Sequence, residues 1–373
     1  MRYMFSKCTN LTTIDVTDID TSKVVTMYAT FDQCTNLANL IGYEYWDTSS
    51  LENMFWMFNK ISKLQTIDIS RWDLSNVNNS AWCFQNSGAQ QILLPDSLKT
   101  MSAGFLNHAA SVTGSTFTIP AGVERIGYAH TIYDFATKEF VEFIVPKENK
   151  NFVAVDGILY SADMKELLAI PRGKTFENNT FYVPEGVEFM AELSFSRNYN
   201  VKTLVLPNTY EIVTFIPTHD PRYIIYEDIG NLNASNSLAI ALYDKMGVVN
   251  YAVKDDNPRY ASKDGIIYSK DMTTLISIPT LYNQYIDIPE GVTTWAEEAV
   301  WSLNHGTLDG HMKNCTGVNI PSSLTYISQD QLNKINRLNK AYGTFEVTVH
   351  PDNPVYATDE NGNLITTGVV ARN

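Results

Sequence analysis

The sequence has little positive charge and no place where lysine and arginine cluster. Among its 373 residues, 27 are basic and 41 acidic, so the formal net charge is −14 at pH 7. Nucleic acids and anionic membranes attract proteins through a concentrated positive surface, because both carry negative charge. The composition therefore argues against nucleic acid and against an anionic membrane surface as partners.

Long apolar runs are missing as well. A helix that crosses a bilayer needs about 20 mostly apolar residues, whereas the most apolar stretch, 238–253, is interrupted by Asp244 and Lys245. We therefore expect no membrane insertion. Met1 is followed directly by a repeated motif and not by an export leader. Either a leader and earlier repeats have been removed, which is the favoured explanation, or the protein reaches its location without a leader.

Cysteine is scarce, with four residues, too few for a disulfide framework. Cys8 and Cys34 are 26 residues apart, which is one period of the repeat described below. We expect them to stack in neighbouring coils as small, buried, reduced thiols. A bridge between them is the alternative, because adjacent coils of such an array lie ~4.8 Å apart.

Motifs that carry catalysis are also absent. The sequence contains no Gly-x-Ser-x-Gly elbow, no Walker loop, no Gly-x-Gly-x-x-Gly and no His-Glu-x-x-His. We therefore predict a protein that is not an enzyme and that needs no cofactor. An enzyme with an unrecognised site is kept as a minor alternative.

Two segments resemble metal sites without matching them. The segment from His305 to Cys315 contains two histidines, one aspartate and one cysteine, but their spacing fits no usual structural zinc pattern. In Asp359 to Asn363 the glycine stands fourth, where a calcium loop needs it sixth, so Asn361-Gly362 is interpreted as a hairpin turn. No metal site is predicted. Four further carboxylates are interpreted as solvated turn groups, with shared calcium as the alternative: Asp15, Asp18, Asp20 and Asp47.

What the sequence does have is repetition. A five-residue motif that ends in phenylalanine, named the Phe motif below, occupies residues 1–5, 27–31, 54–58, 80–84 and, in weaker form, 101–105. A period of this length indicates a solenoid, in which equivalent side chains of successive repeats stack to make the core. The final residues form an unbroken column and are assigned to that core: Phe5, Phe31, Phe58, Phe84 and Phe105.

Each of the first three repeats also contains a short segment of alternating polar and apolar residues, such as Leu11 to Val16 and Leu64 to Ile69. This period predicts a strand with one buried face. The strands are expected to pair in parallel with the next repeat and to form a sheet along the array. Their outward positions make a candidate ligand patch: Thr13, Asp15, Asn39, Ile41, Thr66 and Asp68.

The third position of the Phe motif holds aromatic residues in three repeats, Tyr3, Trp56 and Trp82, but alanine in two, Ala29 and Ala103. Two roles stay open for this column. Its aromatic residues either pack in the core or, because a packed ladder tolerates such gaps poorly, are partly exposed and anchor a protein or glycan partner.

The wording of residues 4–27, MFSKCTNLTTIDVTDIDTSKVVTM, and of 57–79, MFNKISKLQTIDISRWDLSNVNN, resembles the BspA-like leucine-rich repeat surface proteins of bacteria and some protists. The resemblance implies a β-rich, right-handed solenoid of short parallel strands. It also implies an extracellular or cell-surface location and adhesion to host or bacterial surface proteins, matrix or glycans.

From about residue 126 a larger unit appears. Residues 149–171 and 257–279 are similar to each other, and a third copy spans 353–365. Asp156-Gly157 and Asp264-Gly265 lie between apolar segments and predict tight hairpins. Strand-Pro-Glu-Gly-Val steps resemble a second BspA-like subtype. Short helices are expected to begin at the capping residues Asn236, Thr294 and Ser328.

These patterns predict a β-rich solenoid with β-hairpin insertions and a few short helices. Its arrays, 1–125 and 126–373, are expected to form one continuous body. The predicted function is non-catalytic binding or adhesion at the cell surface through the solenoid faces. A structural or receptor-binding component of a bacteriophage particle is the alternative, since such a component would need no leader; neighbouring genes would decide between the two.

Overall fold

A computed structural model describes residues 1–102, 104–106, 109, 116–126, 140–190, 194–195, 198–210, 247–279, 281–296, 312, 314–342 and 344–367. These residues fall into two compact units. The first contains 1–174 and 190–198, and the second contains 175–189, 199–210 and the described residues from 247 onward. Strands predominate in both units.

The strands up to residue 174 are short. They are β1 (Thr13–Asp15), β2 (Asn39–Ile41), β3 (Thr66–Asp68), β4 (Gln91–Leu93), β5 (Thr100–Met101), β6 (Thr116–Thr118), β7 (Arg125–Ile126), β8 (Glu142–Ile144), β9 (Phe152–Val155), β10 (Ile158–Ser161) and β11 (Glu166–Ala169).

Strands of neighbouring repeats in this unit pair in parallel, β1 with β2, β3 with β4, β5 with β7 and β6 with β8. The sheet predicted along the whole first array is present as these separate two-stranded pairs. Between β2 and β3 a 3-10 turn, Tyr43–Tyr45, intervenes. There the hydroxyl of Tyr43 accepts the backbone N–H of Asp68 at 2.8 Å, so a side chain takes the place of a strand partner.

The phenylalanine column forms the centre of the first core, as predicted. Phe31, Phe58, Phe84 and Phe105 are fully buried. The ring centres of Phe31 and Phe58 are 5.8 Å apart, and those of Phe58 and Phe84 are 5.5 Å apart with their planes 2° from parallel. Phe5 is partly exposed and stacks on Phe31 at 5.4 Å.

The backbone of the Phe motif joins neighbouring repeats without being a strand. The N–H groups of Tyr3, Phe5 and Lys7 donate to carbonyls of the next repeat at 2.9, 2.9 and 2.7 Å, and later repeats do the same. Two positions have a positive φ in each of the first four repeats: the third residue of the motif and the second residue beyond the end of the motif. These are Tyr3, Lys7, Ala29, Gln33, Trp56, Lys60, Trp82 and Asn86. Backbone donors are thus paired along the array.

The cysteines are free, but only some of them are buried as predicted. Cys34 lies in the core and donates to the carbonyl of Phe5 at 2.9 Å, and Cys83 and Cys315 are also buried. Cys8 is exposed. The expectation of a buried Cys8 was therefore wrong.

We expect native protein to show one fast-reacting thiol, that of Cys8. Burial raises the pKa of Cys34 and of Cys315 to about 11 and raises that of Cys83 further. The thiolate is the reactive form, so these three should be labelled only after unfolding. Mass spectrometry after iodoacetamide treatment checks this, with Cys8→Ser removing the fast reaction. A fast phase that appears only after reduction would instead indicate a Cys8–Cys34 bridge.

The strands from residue 175 onward are again short. They are β12 (Thr180–Tyr182), β13 (Phe189–Met190), β14 (Thr203–Leu206), β15 (Asn250–Val253), β16 (Tyr260–Lys263), β17 (Ile266–Ser269), β18 (Thr274–Ser277), β19 (Ile286–Asp287), β20 (Thr294–Trp295), β21 (Gly317–Ile320), β22 (Tyr326–Ile327), β23 (Glu346–Val349), β24 (Tyr356–Thr358) and β25 (Leu364–Thr366).

Parallel pairing and hairpins alternate in this unit. β12, β14 and β15 pair in parallel, as do β19, β21 and β23. β16 to β18 form an antiparallel meander, and β9 to β11 form the equivalent one in the first unit. The predicted hairpin turns are confirmed, since φ is positive at Asp156, Gly157, Asp264 and Gly265. β24 and β25 form the hairpin predicted around Asn361-Gly362.

The predicted helices have different outcomes. Ser328 begins α1 (Gln329–Tyr342), and its hydroxyl accepts the N–H of Gln331 at 3.2 Å. At Thr294 the expectation was wrong, because Thr294 and Trp295 form β20 and pair in parallel with β18 and β22. The segment that begins at Asn236 lies outside the described residues. Among the helices that the structure describes, none is long and apolar enough to cross a membrane.

A buried asparagine opens each hairpin unit. The side-chain amide of Asn149 donates to the carbonyls of Pro120 and Val123 at 3.0 and 3.1 Å. Its oxygen accepts the N–H groups of Asn151 and Phe152 at 2.9 and 3.0 Å. One side chain thereby joins an earlier segment to the start of the hairpin. The same donation to a proline carbonyl recurs at Asn198, Asn257 and Asn353.

The Pro-Glu-Gly-Val steps also join neighbouring repeats. The carboxylate of Glu290 accepts the N–H of Ser322 at 2.9 Å, and this bond is the main cause that lowers its pKa. The N–H of Gly291, whose φ is +98°, donates to the hydroxyl of Ser323 at 2.9 Å. In the same way the carboxylate of Glu185 accepts the N–H of Asn208 at 3.1 Å.

Candidate functional site

The first unit carries a group of neighbouring aromatic side chains at its surface, which we name the aromatic strip: Tyr3, Tyr28, Phe55, Trp56 and Trp82. Tyr3 meets Tyr28 edge to face at 5.2 Å, and Tyr28 stacks on Phe55 at 5.1 Å with the planes 5° apart. Phe55 and Trp56 are 4.8 Å apart. Tyr3 is 52% exposed and the others are half-buried.

The strip settles where the column of Tyr3, Trp56 and Trp82 lies. These residues are partly exposed and are not members of the packed core. Sequence reasoning missed Tyr28 and Phe55, which occupy the second position of the Phe motif. Tyr28 provides the aromatic ring of the repeat that has the fully buried Ala29 in third place. Reading the second and third positions together would have revealed an aromatic residue in four successive repeats.

The backbone displays these rings at some cost. φ is 56° at Tyr3, 55° at Trp56 and 57° at Trp82. For a residue other than glycine the left-handed conformation costs about 1–2 kcal/mol. The same conformation recurs at the buried Ala29, where φ is 52°, so it is a feature of the repeat and persists because the surrounding structure imposes it. Here the hydrogen bonds between neighbouring repeats impose it.

One end of the strip is positively charged. The guanidinium of Arg2 lies 4.9 Å from the ring centre of Tyr28 and 5.8 Å from that of Tyr3, within the range of cation–π attraction. Burial is the main cause that raises the pKa of Tyr28, and a hydrogen bond with Tyr3 adds to it. The Tyr28 hydroxyl is therefore neutral at physiological pH.

The other end of the strip is shaped by a missing side chain. A Cβ atom on Gly104 would lie 2.3 Å from the ring of Trp82, so this ring occupies space that glycine leaves free. The indole N–H of Trp56 is shielded from solvent and has no acceptor among the described residues. A shielded donor without an acceptor is costly.

The outward strand positions form a second exposed group, in the strands and not in the Phe motif. Thr13, Asp15, Asn39, Ile41 and Thr66 are exposed, whereas Asp68 is half-buried. In the pairing of β1 with β2, Thr13 lies opposite Asn39 and Asp15 opposite Ile41. The amide of Asn39 donates to the hydroxyl of Thr13 at 3.1 Å. These polar side chains partly satisfy one another.

The acidic residues that follow the strands act as turn caps. Asp15 accepts both the N–H and the hydroxyl of Thr17, and these bonds lower its pKa, the hydroxyl contributing most. Asp20 and Asp47 do the same with the serine two residues on, with the same effect on their pKa. In the described part of the chain no group of three or more His, Cys, Asp or Glu has the geometry of a metal site. The histidines of the segment from His305 to Cys315 lie outside the described residues.

Comparison with known families and structures identifies the fold. Residues 1–101 match a family described as a Mycoplasma protein of unknown function, DUF285. No curated protein matches the chain. A leucine-rich cell surface protein from Faecalibacterium prausnitzii has a TM-score of 0.53 and 16% identity, over 98% of this chain and 78% of that one.

Two further solved structures are similar. A leucine-rich repeat protein from Eubacterium ventriosum has a TM-score of 0.49 and 13% identity, over 94% of this chain and 87% of that one. The pneumococcal vaccine antigen PcpA has a TM-score of 0.46 and 12% identity, over 91% and 78%. The Faecalibacterium protein supports the fold assignment. The resemblance to BspA-like leucine-rich repeat proteins is confirmed, and at this identity it establishes the fold.

Proposed function

We propose that this chain is a non-catalytic recognition protein of the cell surface and that it binds a partner protein through the aromatic strip. The observation that carries the proposal is the strip itself. The rings of Tyr3, Tyr28, Phe55 and Trp56 contact one another, and all five side chains of the strip are partly exposed. Tyrosine and tryptophan are the residues that most often dominate protein interfaces.

The orientation of the rings favours a protein over a glycan. Tyr28 and Phe55 stack with nearly parallel planes, so each ring covers one face of the other, and the guanidinium of Arg2 lies over the Tyr28 ring. Sugars bind aromatic residues mainly through exposed ring faces. Ring edges carry partial positive charge and suit contact with carbonyl oxygens, carboxylates and other aromatic rings. Arg2 adds a full positive charge beside them.

Adhesion to host or bacterial surface or matrix proteins is the more specific form of this proposal, supported by the resemblance to BspA-like proteins and by the cell-surface description of the Faecalibacterium protein. An extracellular location belongs to the same proposal. Two organisational features are likewise proposed: a boundary between the arrays after residue 125, from the repeat pattern, and right-handed winding, from the resemblance to BspA-like proteins. The bacteriophage alternative has no specific observation in its favour.

Trp56→Gly should weaken partner binding about tenfold or more. Glycine accepts the positive φ of this position, so the fold is retained while the ring is lost. The experiment screens the wild-type chain against immobilised matrix proteins and a glycan array, then measures each bound target with the variant. Lys60→Gly is the matched control, because Lys60 has φ 57° and an exposed, non-aromatic side chain.

Protein targets that lose binding with Trp56→Gly and keep it with Lys60→Gly would support the proposal. Binding that survives Trp56→Gly, or a screen in which glycans bind and proteins do not, would contradict it.

A further inference from the structure

The second repeat departs from its neighbours directly after its strand. In the first and third repeats the strand ends in Asp15 and in Asp68, and each carboxylate accepts the N–H of the residue two positions on at 3.0 Å. The second repeat has Ile41 in this place, and one additional residue precedes its turn aspartate, Asp47. A repeat array tolerates such an exception at its surface, since the stacked positions are unaffected.

The inserted turn is held firmly from beneath. Gly42 has a φ of +87°, and a Cβ atom there would lie 2.3 Å from the hydroxyl of Thr17. Tyr43 is buried, its hydroxyl accepts the N–H of Asp68 at 2.8 Å, and its carbonyl accepts the indole N–H of Trp72 at 3.0 Å. Side chains that project from this turn are therefore preorganised, which lowers the entropy lost on binding.

Two large apolar side chains project from this rigid base. Ile41 is 47% exposed and Tyr45 is 69% exposed. The guanidinium of Arg71, from the next repeat, lies 5.3 Å from the ring centre of Tyr45 and holds it by cation–π attraction. We name Ile41, Tyr45 and Arg71 the Tyr45 patch. Tyrosine and arginine are both enriched among residues that dominate binding energy.

The surroundings of the patch are acidic. Asp15 lies opposite Ile41 in the strand pair, and Glu44 directly precedes Tyr45. The backbone of Asp68 is bonded to Tyr43 beneath the turn, and its carboxylate is partly exposed. Three carboxylates thus accompany the single guanidinium of the patch. Complementary charge selects partners at an interface more than it adds affinity, and here it selects a basic partner.

We propose that the Tyr45 patch binds a segment of a partner protein in which an aliphatic side chain is flanked by lysine or arginine. The aliphatic side chain packs against Ile41 and Tyr45, while the flanking cations pair with the carboxylates of Asp15 and Asp68. This inference rests on the proposed function in so far as the partner is a protein. It does not depend on the aromatic strip.

The test uses short fluorescent peptides and the full chain. The probe has a leucine flanked by lysines, one control peptide has serine in place of leucine, and another has glutamates in place of lysines. Fluorescence anisotropy should show the leucine–lysine peptide binding more tightly than either control. Tyr45→Ala should weaken that binding about tenfold. Tyr182→Ala, which removes a tyrosine that is 67% exposed in the second unit, should leave it unchanged.

Each outcome decides the question. Equal binding of the leucine and serine peptides would mean that charge alone attracts them, and equal binding of the glutamate peptide would exclude a basic partner. Unchanged binding by Tyr45→Ala, or no binding of any peptide, would overturn the inference. Trp56→Gly should bind the probe like wild type, so failure at the aromatic strip and failure at the Tyr45 patch are told apart.

Discussion

Replacing Phe58 with alanine should destabilise the first unit by about 3–5 kcal/mol, the range typical of a phenylalanine removed from a well-packed core. Phe58 is fully buried between Phe31 and Phe84 and also contacts Trp72 at 6.3 Å between ring centres. The cavity cannot close by bringing these rings together, because the N–H of Phe58 is bonded to the carbonyl of Cys83 at 2.8 Å. Backbone hydrogen bonds thus hold neighbouring repeats at a fixed spacing.

A loss of this size is a large part of the stability of an ordinary domain, which is about 5–15 kcal/mol. Urea unfolding followed by circular dichroism measures it. Phe55→Ala is the matched control, because Phe55 stands three residues earlier and is only half-buried in the aromatic strip. If Phe58→Ala cost no more than Phe55→Ala, the assignment of the phenylalanine column to the core would be wrong.

Replacing Asn353 with alanine should cost about 3–5 kcal/mol in the second unit. Its side-chain amide donates to the carbonyls of Pro321 and Leu324 at 2.7 and 2.9 Å. Its oxygen accepts the N–H groups of Val355 and Tyr356 at 2.9 and 2.8 Å. Alanine leaves these four backbone groups without their partner in a buried place, and each such loss costs about 1 kcal/mol or more.

Asn353→Asp separates lost hydrogen bonds from lost volume. Aspartate has nearly the same size and keeps the acceptor, but in its charged form it places an oxygen against the two carbonyls to which the amide donated. We therefore expect it to be at least as destabilising as alanine. Asn319→Ala is the control, since that amide bonds only other side chains: its N–H donates to Asp287 at 3.1 Å and its oxygen accepts the hydroxyl of Thr348 at 3.2 Å. Thermal unfolding measures the difference. An unfolding temperature of Asn353→Asp equal to that of wild type would contradict this role of the amide.

The stacked core and the hairpins could be predicted from the sequence because their causes repeat or are local. Phe31 and Phe58 stack because the same residue type returns after one period. Asp156-Gly157 turns because both residues take positive φ. The helix at Ser328 has a capping residue and an apolar periodicity of its own. At Thr294 a capping signal of the same spacing did not produce a helix, because the neighbouring strands β18 and β22 offer backbone partners on both sides.

The candidate sites were predicted only in part. Tyr3, Trp56 and Trp82 were singled out, and so were the outward strand positions, since both recur with the repeat. Tyr28 and Phe55 were not, because they join the strip from a different position of the motif. Tyr45 and Arg71 are 26 residues apart, one period, so their spacing places them in neighbouring repeats, but their residue types differ and no recurring residue type marked them as a pair.

The sequence by itself determined the period, the residue types that stack and the turns, since each depends on a residue and its equivalent one repeat away. The tertiary structure decided which side chains are left uncovered: Cys8 is exposed where Cys34 is buried, and Tyr45 projects while Tyr43 is enclosed. Exposure depends on what adjacent repeats place above and below a residue. That neighbourhood exists only once the chain is folded.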